Sequence, residues 1–143
     1  MIVGKHFNTA SLTLDEAEMV RFAREFDPQP IHTDPIVARD SLFGGLIGSG
    51  WYTAALTMKL VVGGALRPDD RAWIGLGIEL LRWPVPTRPG DTLSAVMEIL
   101  EARASNSRPD RGIVKLRTLT YNQKREVMQE LVANVLVPRR AAA

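Results

Sequence analysis

Residues 26–34 read FDPQPIHTD and place Asp27 five positions before His32, with Pro28 and Pro30 between them. The whole chain has only two histidines. Proline fixes φ, so two of them hold a carboxylate and an imidazole in a restricted relation at low entropic cost. Such a pair, with no serine or cysteine beside it, suits the activation of water or the movement of a proton to and from carbon. The plainer structural reading has Asp27 capping a turn, His32 packing at a sheet edge and Asp34 capping the turn at Pro35.

A second group stands at Gly48, Ser49 and Gly50, immediately before an apolar stretch. At the start of a helix, unpaired backbone N–H groups coincide with the positive end of the macrodipole. That is a place where a carbonyl oxygen can be polarised. Its plainer reading is a glycine loop needed for tight packing. Together the two groups match the addition of water across a conjugated thioester. The backbone donor stabilises the developing enolate, and the pair supplies and removes protons.

The elements that must position these groups are legible in the residue pattern. Thr13 followed by Glu16 reads as a capping box, and residues 14–25 follow as a helix with Leu14, Ala17, Val20, Phe22 and Ala23 inward. Pro28 and Pro30 exclude helix beyond it, and residues 35–40 allow one further helical turn opening on Pro35. From Gly50 to Val62 the apolar positions Trp51, Ala54, Ala55, Met58 and Val62 recur at helical spacing. This stripe predicts a helix buried against a sheet. Residues 72–81, 92–99, 112–121 and 126–137 read as four strands, the last two joined by NQKR and the middle two by SNSRPDRG. Four consecutive strands after one long apolar helix predict an α+β fold with an antiparallel sheet around that helix.

Composition narrows the function. The 143 residues predict a single domain, 1–143, with a sizeable core. Eighteen basic against sixteen acidic side chains give a net charge of only +2, and the arginines form no run interleaved with aromatics. No nucleic-acid partner is expected. Without cysteine there is no disulfide framework, thiolate metal site or thiol nucleophile. His6 and His32 lack the spacing of a zinc pair, so no metal is expected. MIVGKHFNTAS is too polar for a signal peptide, and no segment approaches the roughly 20 apolar residues of a membrane span. The expectation is a soluble, cytoplasmic chain with no membrane partner.

DPQPIHTDP, then FGGLIGSG and a long apolar helix, resembles the MaoC-like acyl dehydratases, the (R)-specific enoyl-CoA hydratases of hot-dog fold. Their signature is Asp-x-Asn-Pro-x-His, followed by glycines leading into a central helix. RFAREFD, PVPTRPGDTL, SNSRPDRGIV and NQKREVMQ extend the likeness over most of the chain. The resemblance implies that Asp27 and His32 hold and activate water and that the Gly50 N–H meets the thioester carbonyl. It also sets Ser49 and Gln29 at the substrate. Two positions depart from the pattern: Gln29 replaces the motif's asparagine, and Ser49 stands where histidine is frequent. Further implications are an acyl-CoA or acyl-carrier thioester substrate, no metal or redox cofactor, and a homodimer formed edge to edge with sites at the interface. Arg39, Lys59, Arg67 and Arg82 are basic positions able to meet CoA phosphates, against the plainer reading of solvated charges. Two other activities remain on this fold. A thioesterase would place an acid on or beside the central helix, and residues 50–62 contain neither Asp nor Glu. A binding module would have lost turnover, and the Asp27/His32 pair speaks against that.

Overall fold

The computed structural model describes residues 2–64 and 72–139. Five strands form one sheet: β1 (His6–Thr13), β2 (Ile74–Arg82), β3 (Thr92–Ala104), β4 (Arg111–Tyr121) and β5 (Val127–Pro138). Every pairing is antiparallel, in the order β1-β3-β4-β5-β2. Helices α1 (Glu16–Phe26), α2 (Pro30–Thr33), α3 (Pro35–Arg39) and α4 (Gly50–Val62) all lie between β1 and β2 in the chain. The sheet wraps around α4, which packs on β1, β3 and β5, as the hot-dog expectation requires.

Strand alternation decides which side chains meet the helix. Leu93, Ala95, Met97 and Ile99 of β3 are fully buried while their neighbours are half-buried. Leu93 joins Leu14, Met19, Tyr52, Leu60 and Met128 in one apolar cluster, and Ile99 joins Val114, Leu116 and Val137 in a second. Burying each large aliphatic side chain contributes about 1.5–3 kcal/mol. The NQKR connection closes with Arg125 N–H donating to the Asn122 carbonyl at 3.1 Å, and Arg125 adopts a left-handed φ of +63°.

Four expectations are corrected. The sheet has a fifth strand, β1, whose alternation is broken by a bulge between Asn8 and Ser11. There Thr9 Oγ1 accepts from the Ala95 N–H at 2.9 Å. Thr13 ends that strand, with its hydroxyl 2.9 Å from that of Thr92, instead of capping a helix. Asp15 is the N-cap of α1 without a side-chain bond, and the helix buries Met19 and Ala23 while Ala17 is exposed. Pro30 opens α2 instead of preventing it, since the first helical position needs no N–H donor. α3 does form, with Asp34 Oδ1 accepting from the Ile36 and Val37 N–H groups at 2.9 and 3.3 Å.

The fourth correction concerns α4. Its limits are those predicted, but its orientation is reversed. Trp51, Met58 and Val62 are exposed, and the buried residues are Tyr52, Thr53, Thr57 and Leu60. The threonines are admitted to the interior because their hydroxyls are satisfied there. Thr57 Oγ1 donates to the Thr53 carbonyl at 2.9 Å, accepts from Gln129 Nε2 at 3.1 Å and lies 2.8 Å from Thr120 Oγ1. Thr53 Oγ1 lies 3.3 Å from Thr87 Oγ1. Among the described residues, no helix is long and apolar enough to cross a membrane.

Candidate active site

α1 delivers Asp27 as its C-cap, with the Asp27 N–H donating to the Ala23 carbonyl at 2.8 Å. The chain turns at once: the Gln29 N–H donates to the Asp27 carbonyl at 2.8 Å, and the His32 N–H to the Gln29 carbonyl at 2.9 Å. One turn of α2 brings His32 back beside Asp27. His32 is buried, with Nδ1 2.9 Å from the Ile47 carbonyl and Nε2 3.3 Å from Asp27 Oδ2. A carbonyl only accepts, so Nδ1 carries a proton. Nε2 is therefore the ring atom that exchanges one.

Asp27 is held from both oxygens. Gln29 Nε2 donates to Oδ1 at 2.8 Å and Ser49 Oγ donates to Oδ2 at 2.7 Å. These bonds, from Gln29 first and Ser49 second, outweigh the desolvation of the group and hold its pKa below the ordinary carboxylate value. A protonated His32 adds to the effect. Asp27 is thus ionised at neutral pH. Gln29 and Ser49 both act on the carboxylate in this geometry.

Ser49 is fully buried and is the N-cap of α4, so its bond to Asp27 sets the carboxylate beside the helix N-terminus. The next N–H is that of Gly50, which has no hydrogen-bond partner among the described residues. Two glycines here are required by close approach. A Cβ on Gly50 would stand 2.5, 2.6 and 2.8 Å from Cδ2, Cε2 and Cε3 of Trp83. A Cβ on Gly48 would collide with Thr87 Oγ1, and the Gly48 N–H donates to the Thr87 carbonyl at 2.9 Å. Arg88 Nη2 donates to the Phe43 carbonyl at 2.7 Å, tying down the start of the glycine loop.

Residues 83–91, WPVPTRPGD, therefore form the wall behind the glycine loop. Trp83, Thr87, Arg88 and Gln129 were missed by sequence reasoning. PVPTRPGD signals a turn, but nothing local says which other loop that turn meets. The arrangement offers an ionised carboxylate, an imidazole whose Nε2 faces it and, at a helix start, an N–H unpaired among the described residues. Of the basic positions, Arg82 is engaged by Glu130 and Arg39 by its neighbour Asp40. Lys59 is exposed, and Arg67 lies outside the described residues. Among the described residues, no three His, Asp or Glu side chains are grouped to hold a metal ion.

Residues 1–122 match the family model described as MaoC like domain. The chain belongs to the MaoC-like dehydratase family. Among MaoC-like structures, it is similar to the MaoC-like dehydratase from Rhodospirillum rubrum, with 48% identity and a TM-score of 0.92 over 99% of this chain and 96% of that one. It is also similar to the (R)-hydratase from A. caviae involved in PHA biosynthesis, at 27% identity and a TM-score of 0.77 over 96% and 98% of the two chains. The uncharacterized protein YdeM of Bacillus subtilis is 34% identical over 139 residues, 96% of this MaoC-like chain and 95% of its own. Family and neighbours support a hydratase or dehydratase in general terms.

Proposed function

We propose that this MaoC-like protein adds water reversibly to a trans-2-enoyl thioester to give a 3-hydroxyacyl thioester. One observation carries the reading. Asp27 Oδ2 is shared by His32 Nε2 at 3.3 Å and Ser49 Oγ at 2.7 Å, and the residue after Ser49 presents an N–H unpaired among the described residues. Base and carbonyl donor thus stand on either side of one side chain. Water bound by Asp27 and Nε2 of His32 loses a proton to the pair as its oxygen bonds to C3 of the substrate. Electron density moves to the thioester oxygen, where the Gly50 N–H and the start of α4 stabilise the enolate. Return of a proton from the pair to C2 completes the addition, and dehydration reverses each step.

The proposal includes a homodimer. Trp51, Met58 and Val62 of α4 and Ile74, Leu76 and Ile78 of β2 are exposed apolar residues, and β2 is an edge strand with one backbone side unpaired among the described residues. An edge of this character needs cover. A second copy supplies it by pairing β2 with β2, and the cytoplasm is the compartment proposed for this assembly. Incubation with an enoyl-CoA series and product analysis test the activity. Formation of 3-hydroxyacyl-CoA supports the proposal. Release of free thiol would replace it with a thioesterase, and binding without turnover with an acyl-thioester-binding module.

A further inference from the structure

We propose that Trp83 is a specificity-determining residue that confines the acyl site to short enoyl chains. The inference rests on the hydratase reading. The atoms that a Gly50 Cβ would meet, Cδ2, Cε2 and Cε3, all belong to the six-membered ring of Trp83. That ring therefore lies against the same residue whose N–H awaits the thioester oxygen. An oxygen about 3 Å from that nitrogen holds its carbonyl carbon within a few ångströms of the indole.

The indole is fixed in place. Trp83 Nε1 donates to Gln129 Oε1 at 2.9 Å, and Gln129, fully buried, donates through Nε2 to Thr57 Oγ1 at 3.1 Å. Trp51 packs against the indole in a T-shaped arrangement, with ring centroids 5.4 Å apart at 77°. Trp83 thus bridges Gln129 of the sheet and the start of α4, with its ring against Gly50. The sulfur arm of a thioester carries CoA or a carrier and must leave toward solvent. The acyl arm then lies beside the tryptophan, whose bulk against Gly50 leaves less room for a long chain than for a short one. Trp83 is itself 38% exposed, so part of its ring is open to a ligand.

The test compares parent, Trp83→Ala and Trp83→Phe in hydration of crotonyl-, octenoyl- and dodecenoyl-CoA, and in calorimetric binding of butyryl- and octanoyl-CoA. The parent should favour crotonyl-CoA. Trp83→Ala should raise the octenoyl-to-crotonyl ratio of kcat/KM by about tenfold or more, the lower end of discrimination by an apolar pocket. Trp83→Phe keeps a ring and should keep the short-chain preference. Trp83→Leu replaces the alanine variant if that one does not fold. A folded truncation with unchanged chain-length ratios, or a parent that favours octenoyl-CoA, would overturn the proposal. Binding ratios separate the two levels. If no enoyl-CoA is hydrated, the hydratase reading fails, while a truncation-dependent shift from butyryl- to octanoyl-CoA affinity still upholds the role of Trp83.

Discussion

Ser49 donates its hydroxyl hydrogen to Oδ2 of Asp27 at 2.7 Å, across 22 positions of sequence. The bond locks the end of α1 to the start of α4. It also uses the Ser49 side chain to keep Asp27 charged. A hydrogen bond to a charged group contributes about 1.5–3 kcal/mol, so one side chain couples the carboxylate to the start of α4.

Asp27→Asn and His32→Ala should each lower kcat by about 10²–10⁴, the range for general acid–base catalysis. The double variant should be little worse than the worse single one, since groups acting as a unit are non-additive. Steady-state kinetics on crotonyl-CoA decide this. Near-parental hydration by either folded single variant removes the pair from the mechanism.

Ser49→Ala and Gln29→Leu each delete a donor that lowers the Asp27 pKa. The native pKa must then rise, and the acid limb of the pH–kcat/KM profile should move to higher pH. Stability follows the same sign. A depressed native pKa contributes stability above the unfolded value, which is lost as pH falls through the native one. The destabilisation by Ser49→Ala should therefore be largest at neutral pH and shrink in acid. Denaturant melts at several pH values test it, and a pH-independent difference refutes it. Gln29→Asn retains an amide and should stay within about tenfold of parental turnover, or 1.4 kcal/mol.

Gly50→Val should cost about 10²-fold or more in hydration, the scale of losing an oxyanion donor. The branched side chain crowds the approach to the Gly50 N–H, and its Cβ also meets the indole of Trp83. φ of Gly50 is not in the positive range, so backbone strain is not involved. Near-ultraviolet circular dichroism of the tryptophans should change together with activity. Parental rates from a folded Gly50→Val protein would require the carbonyl to be polarised elsewhere.

Leu76→Asp and Ile78→Lys place charge on the exposed face of β2 and should convert a dimer to monomers in sedimentation velocity, with loss of turnover. Both residues are more than half exposed, so neither variant disturbs the core of the single chain. A parent protein that sediments as a monomer rules out the edge-to-edge assembly.

The local pattern was enough for much of this protein. Helical spacing set α4 at Gly50–Val62, and alternation set β3, β4 and β5, because both periods depend on neighbours within a few residues. The proline-stiffened turn was enough to place Asp27 near His32, whose side chains meet at 3.3 Å. β1 was missed because its bulge breaks the period and both of its ends are mostly exposed.

Tertiary structure alone decided which face of α4 turns inward. A hydrophobic count favours Trp51, Met58 and Val62. The interior instead accepts Thr53 and Thr57, because Gln129 and Thr120, 72 and 63 positions from Thr57, arrive with matching hydrogen-bond groups. The same holds for Ser49, whose partner sits at the end of another helix, and for Gly50, which must be glycine because Trp83 lies on it. A residue type states what it can bond or exclude. Only the folded chain brings the partner, since a polar group enters the core only where a distant group compensates its lost water.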